Sequence, residues 1–77
     1  MKTLEEYTAE VKRHFRGSEP HLTEKDVNDY FEEEETKKYL KEEYESYKEK
    51  ASYGNNPPEW LVGGDPGAVA STLSLMY

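Results

Sequence analysis

The chain has 77 residues, enough for one small domain, and it contains no cysteine, so no disulfide or thiolate metal site can stabilise it. Seventeen Asp and Glu residues against 10 Lys and Arg residues give a formal net charge of −7, and a chain this acidic repels the phosphates of nucleic acids. We therefore expect a fold held together by helix packing, or by packing against another subunit.

The negative charge is concentrated in the middle of the sequence. Residues 1–18 carry four basic and three acidic side chains, whereas residues 19–50 carry six basic and 12 acidic ones. One basic cluster precedes the acidic segment, and it consists of Lys12, Arg13, His14 and Arg16. We favour an interpretation in which these charges complement a helix C-terminus or pair with the acidic second helix, over a docking patch for an acidic partner or a nucleic-acid end.

The first helix is predicted over residues 4–16. Thr3 and Glu6 have the spacing of a capping box. Four apolar residues then recur at intervals of three and four, which places them on one side of a helix: Leu4, Tyr7, Val11 and Phe15. Gly17 is expected to stop this helix, with residues 18–20 as the connection.

Two further helices are predicted over residues 24–33 and 36–51. Thr23 and Asp26 form a capping pair at the start of the second helix. Its apolar residues are Val27, Tyr30 and Phe31, and those of the third helix are Leu40, Tyr44, Tyr47 and Ala51. On one continuous helix the two stripes would point about 120° apart. A break or bend near Glu33–Thr36 is favoured because it lets both stripes face one core, although a single bent helix remains the alternative.

Residues 52–65 form a loop rich in Pro and Gly, and a short fourth helix is predicted over residues 66–76. Asp65 followed by Pro66 is typical of a helix start. The segment Trp60–Val62 is expected to cover an open edge of the bundle, and whether it forms a strand is left open. The predicted fold is therefore all-α: a small three-helix bundle with a Pro/Gly-rich loop and a short C-terminal fourth helix packed on it.

Several chemistries find no support in the sequence. No serine lies in a G-x-S-x-G pattern and no H-E-x-x-H pattern is present. The glycines around Asp65 lack the lysine and hydroxyl of a phosphate-binding loop. The acidic run after Asp26 begins like a calcium loop but has Phe31 where glycine is required. We expect no catalytic residues, no cofactor and no metal, and we interpret the protein as a non-enzyme.

Aromatic residues are the most informative feature, because seven tyrosines and one tryptophan are many for 77 residues, and Tyr and Trp are enriched at protein interfaces. Tyr7, Tyr30, Tyr44 and Tyr47 lie on the predicted core stripes. Tyr39 lies about 100° from the centre of the third stripe. The candidate interaction surface consists of Tyr39, Tyr53, Pro57, Pro58, Trp60 and Leu61.

Three hypotheses for function follow. The preferred one is a protein–protein interaction module or accessory factor whose partner is another protein or a second copy of the chain, with no direct nucleic-acid or membrane binding. The alternative is an acidic mimic of nucleic acid that inhibits a DNA- or RNA-binding enzyme. Its carboxylates would come from Asp29, Glu32, Glu33 and Glu35. A metal-binding or hydrolytic protein is a remote third hypothesis.

The run from Leu22 to Tyr47, together with the ending Leu73–Tyr77, resembles short proteins of unassigned function encoded by prophages and mobile elements of Gram-positive bacteria. This resemblance implies a bacterial cytoplasm and an accessory role. The N-terminus is consistent with a cytoplasmic protein, because it turns acidic at Glu5 and Glu6 where a signal peptide would turn apolar.

Overall fold

The computed structural model describes residues 2–54, 56, 58–59 and 63–77. Four α-helices are found there: α1 (Leu4–Ser18), α2 (Glu24–Glu32), α3 (Glu34–Ser52) and α4 (Pro66–Met76). The described ranges contain no strand, and α4 packs on α1. The predicted all-α fold is confirmed. The predictions about Trp60–Val62, both as a cover and as a strand, concern residues outside the described ranges.

The start of α1 follows the prediction and its end does not. The backbone N–H of Glu6 donates to Thr3 Oγ1 at 3.2 Å, and the Thr3 N–H donates back to the Glu6 carboxylate at 3.0 Å. This capping lowers the pKa of Glu6, mainly through the bond from the Thr3 backbone. The predicted stop at Gly17 is wrong, because α1 continues to Ser18. A glycine ends a helix by taking a positive φ, and Gly17 does not adopt one.

A single extended residue separates α2 from α3. Glu33 has φ −63° and ψ 140°. Its N–H donates to the Tyr30 carbonyl at 3.2 Å, and its own carbonyl accepts the Lys37 N–H at 2.9 Å. The predicted break is confirmed, although α3 begins at Glu34 rather than at residue 36. The break turns the apolar residues of both helices toward one interior.

The core is formed by side chains from all four helices. Its buried apolar members are Tyr7, Val11, Phe15, Val27, Phe31, Leu40, Val69, Ala70 and Leu73. Five residues of the predicted stripes lie outside it: Tyr30, Tyr44 and Tyr47 are partly buried and pack against it, whereas Leu4 is 39% exposed and Ala51 is also exposed. Leu4 and Ala51 lie at the ends of α1 and α3, where the neighbouring helices do not cover them. The short α4 therefore supplies a third of this core rather than covering a finished bundle.

Helices α1 and α4 run side by side in the same direction. The Tyr7 hydroxyl, near the start of α1, donates to the carbonyl of Gly64, just before α4, at 2.9 Å. At the other end, the ring centroids of Phe15 and Tyr77 are 6.0 Å apart. The Ser74 hydroxyl, near the end of α4, donates to the carboxylate of Glu19, which follows α1. The chain between the two helices, which includes α2 and α3, thus acts as a crossover.

Tyrosine hydroxyls tie the helices to backbone carbonyls of distant segments. Besides the bond from Tyr7, the Tyr30 hydroxyl donates to the Leu73 carbonyl at 3.0 Å and the Tyr44 hydroxyl donates to the Lys2 carbonyl at 2.7 Å. A buried tyrosine ring needs a partner for its hydroxyl. Tyr7, Tyr30 and Tyr44, which were predicted to lie on the core stripes, therefore also hold the helices together through their hydroxyls.

Gly64 is enclosed by the backbone of α3. It has φ +80°, and a Cβ at this position would lie 2.7 Å from the backbone nitrogen of Tyr47 and 2.8 Å from its Cα. Its N–H donates to Glu43 Oε2 at 2.8 Å while its carbonyl accepts the Tyr7 hydroxyl. One glycine thus connects α1 and α3 at the entry to α4.

We predict that Gly64→Ala destabilises the protein strongly. A left-handed backbone costs a non-glycine residue about 1–2 kcal/mol, and overlap with a packed backbone adds about 1–3 kcal/mol. Urea unfolding followed by circular dichroism should show a loss of about 2–5 kcal/mol. The matched control is Gly17→Ala, which meets no atom within 4 Å inside α1 and should raise stability by about 0.5–1 kcal/mol. Equal effects of the two substitutions would contradict the account of Gly64.

We also predict that stability falls as the pH rises above about 10. Burial raises the pKa of the Tyr7 phenol above its ordinary value of 10.0, and the nearby Glu43 carboxylate raises it further. The folded state thus favours the neutral phenol. This contribution is complete below pH 10 and is lost progressively above it.

Tyr7→Phe should lower the free energy of unfolding at pH 7 by about 1 kcal/mol and make its decline between pH 10 and 12 shallower. Tyr53→Phe, which changes a ring that is 45% exposed, should follow the wild-type curve. The measurement is urea unfolding at a series of pH values. An unchanged slope in Tyr7→Phe would refute the assignment.

Candidate interaction surfaces

The interaction surface predicted from aromatic residues is not brought together within the described residues. Tyr39 is half-buried against the core, and this burial raises the pKa of its phenol. Tyr53 is 45% exposed and Pro58 is half-buried. Fourteen positions separate Tyr39 from Tyr53, or about 21 Å along α3. The remaining members lie outside the described residues: Pro57, Trp60 and Leu61.

The carboxylates of the predicted acidic surface surround the junction of α2 and α3. All four are exposed: Asp29, Glu32, Glu33 and Glu35. Lys37 Nζ contacts a Glu32 carboxylate oxygen at 2.8 Å, and this bond lowers the pKa of Glu32. The predicted carboxylates are thus exposed on both sides of the α2–α3 junction, and one of them, Glu32, is paired with Lys37.

No direct ion pair joins the basic cluster of α1 to an acidic residue of α2 in the described part of the chain, although Lys12, after the larger effect of Lys37, helps to lower the pKa of Glu32. Lys12 Nζ instead donates to the side-chain oxygen of Asn28 at 3.1 Å and lies 5.5 Å from the centre of the Phe31 ring. Arg16 does lie in the last turn of α1, where a cation complements the helix dipole. Arg13 has no ion pair with a described residue.

An open groove follows this basic side of α1, and we call it the α1 groove. It consists of two adjoining depressions that share Ala9 and Lys12. The first, of about 440 Å³, is lined by Leu4, Glu5, Thr8, Ala9, Lys12, Phe31, Glu32, Lys37, Leu40 and Lys41. The second, of about 490 Å³, is lined by Ala9, Lys12, Arg13, Arg16, Gly17, Pro20 and Leu22.

The α1 groove combines apolar contact area with cationic side chains. Its apolar lining residues are Leu4, Ala9, Pro20 and Leu22, together with the core residues Phe31 and Leu40. Five cationic side chains and two carboxylates also line it, which leaves an excess of three positive charges. The cations are Lys12, Arg13, Arg16, Lys37 and Lys41, and the carboxylates are Glu5 and Glu32.

One feature of the sequence indicates this groove, although it lies outside the apolar stripes: a small residue on the exposed side of α1. Ala9 stands on the exposed side of α1, one turn before Arg13 and two turns before Arg16. Its short side chain leaves a depression between longer neighbours. The walls of the groove, however, come from Lys37 and Lys41 on α3, and only the packing of the helices shows that these residues face α1.

A second exposed apolar group lies at the end of α4. Leu75 is 89% exposed, Met76 59% and Tyr77 57%. The ring of Tyr77 still packs against Tyr30, with centroids 4.9 Å apart. Helix α4 carries no charged side chain, so this exposed apolar group has no charged neighbour on its own helix.

Comparisons with protein-family models, with curated proteins and with solved structures gave no match. Within the described ranges, no three His, Asp or Glu side chains are grouped so that they could hold a metal ion. Of the helices found there, none is sufficiently long and apolar to span a lipid bilayer.

Proposed function

We propose that this protein is a non-enzymatic protein–protein interaction module that binds a segment of another protein in the α1 groove. The observation that supports it is the presence of an apolar floor beside cationic side chains on the solvent side of α1. Such a surface offers both area that is favourable to remove from water and charges that orient a partner. We further propose an accessory role in a bacterial cytoplasm, as the resemblance to prophage and mobile-element proteins implies.

The shape of the groove supports a macromolecular partner over a small substrate. The two depressions are open and adjoin along α1. Leu4 and Gly17, at its two ends, are 13 positions apart, or about 20 Å along the helix. Small-molecule sites usually bury most of their ligand in a cleft or cavity. A shallow, elongated groove matches a peptide segment or a helix of another protein.

Nucleic-acid mimicry is the second candidate, and the grouping of exposed carboxylates at the α2–α3 junction favours it. These side chains come from both sides of the break at Glu33, so they extend around a corner of the molecule. Carboxylates spread over such a surface could occupy the basic channel of a nucleic-acid-binding enzyme. The ion pair of Glu32 with Lys37 reduces the charge available for this purpose.

We predict that Ala9→Glu abolishes binding to the cellular partner. Residue 9 is exposed, so the fold should persist, whereas a longer carboxylate would fill the depression and repel the ligand for which the cations are suited. Affinity capture from bacterial lysate followed by mass spectrometry should show proteins retained by the wild type and lost in Ala9→Glu. Light scattering of the purified protein should show whether a second copy is bound instead.

The control is a chain with the four exposed carboxylates neutralised: Asp29→Asn, Glu32→Gln, Glu33→Gln and Glu35→Gln. The groove proposal predicts that this variant keeps the partner, whereas mimicry predicts that it loses a basic, nucleic-acid-binding partner. A set of retained proteins that is identical for wild type and Ala9→Glu would contradict binding in the groove.

A further inference from the structure

The chemistry of the α1 groove also indicates what kind of segment it binds. We infer that the ligand is an acidic amphipathic α-helix of about 13 residues, the length that spans about 20 Å at 1.5 Å per residue. This inference rests on the proposed function, because it concerns the occupant of the same groove. Backbone chemistry, charge and apolar area support it separately.

The backbone chemistry of the groove favours a helical ligand over an extended one. The groove is lined by residues of α1, α2 and α3 and by the turn at Pro20 and Leu22, and a helix uses its own N–H and C=O groups internally. The helical walls therefore offer no strand edge to which an extended peptide could add. An extended ligand would place unpaired backbone groups on the apolar floor, which is unfavourable. A helical ligand satisfies those groups itself.

The charged side chains of the groove favour an acidic ligand. Two cations of the groove, Lys37 and Lys41, are four residues apart on α3 and therefore lie on the same side of that helix. Arg13 and Arg16 of α1 line the depression next to it. At physiological ionic strength, charges more than about 8 Å away are largely screened. Within the groove lining, five cations outnumber two carboxylates, and this local excess of positive charge favours an acidic segment.

The apolar side chains that line the groove favour a peptide over a nucleic acid. Leu4 is 39% exposed at one end of the groove, and Leu22 is half-buried at the other. Apolar side chains at intervals of three and four on a ligand helix would cover such a floor. A nucleic-acid backbone could meet the cations but would leave the apolar area in water.

The test is an unbiased selection of peptides. A display library of random 16-residue peptides is selected on the immobilised full-length protein, and the enriched sequences are measured by fluorescence polarisation. The expected result is enrichment of peptides that carry several Asp or Glu residues and apolar residues at helical spacing. A proline placed at the centre of such a peptide should abolish its binding, because the helix is interrupted.

A pair of matched variants tests the location. The groove variant combines Arg13→Gln, Arg16→Gln and Lys41→Gln, and the control combines Lys25→Gln, Lys38→Gln and Lys50→Gln. Both remove three positive charges. Because exposed charge pairs contribute modestly, the groove variant should weaken binding about tenfold and the control less than about twofold. Ala9→Glu should remove binding of the same peptides.

Four outcomes would overturn part of the account, and they are distinguishable. Enriched peptides that are neutral or basic, or that tolerate the central proline, would refute the acidic helix while leaving an interaction module. Equal weakening by the two triple variants would also refute the inferred contacts. A single-stranded oligonucleotide that displaces the peptides with equal affinity would reassign the groove to nucleic acid. If no peptide is enriched, or if none responds to Ala9→Glu, the proposed function fails as well.

Discussion

The packing of α4 on α1 is the constraint on which the rest of this structure depends. Three residues of α4 lie in the core with the apolar stripe of α1: Val69, Ala70 and Leu73. An isolated helix of 11 residues would be marginal in water, so α4 needs α1 as much as the core needs α4. The two helices run in the same direction, and the chain between them must cross from one end of the molecule to the other.

Polar contacts at both ends of α4 define this packing. The buried hydroxyl of Tyr7 and the carboxylate of Glu43 hold Gly64 from two sides before the helix begins. The Tyr30 hydroxyl binds the Leu73 carbonyl near its end. Apolar burial is not directional, whereas these hydrogen bonds fix where α4 begins and which way it points. The high tyrosine content is explained in part by this requirement.

The same packing also determines which surface remains for function. Because one side of α1 faces α4, its other side is left toward solvent with Ala9 and the cations of the groove. The break at Glu33 then brings α3 alongside this side, so that Lys37 and Lys41 join residues of α1. The groove arises because Ala9 has a short side chain on the side of α1 that other helices do not cover, while the positions of α1 and α3 are set by the core.

Much of the fold could be predicted from local patterns. The capping boxes at Thr3 and Thr23 mark where helices begin, and the angle between two apolar stripes predicts the break near Glu33. Such signals act within a few residues. The tight fit of Gly64 against Tyr47 depends on residues that are distant in sequence, and no periodicity indicates it.

The interaction surfaces were less predictable for the same physical reason. The carboxylates near Glu33 flank one helix junction because they are close together in the sequence. Tyr39 was expected at an interface from its angle on the helix, yet it packs partly against the core. The basic residues of α1 were expected to complement the end of their own helix or to pair with acidic residues of α2. Arg16 does lie in the last turn of α1, whereas Lys12 contacts the uncharged Asn28 and the Phe31 ring of α2. Which side chains meet across helices depends on the packing of all four.

The central claim is that α1, α2 and α3 do not form a stable fold without α4. It is tested most directly by a chain that ends at Gly63, measured by far-ultraviolet circular dichroism and urea unfolding beside the full chain. The account predicts a large loss of helical signal and no cooperative unfolding transition, because the apolar stripe of α1 would be exposed to water. A truncated chain that keeps its helical signal and unfolds cooperatively would contradict it.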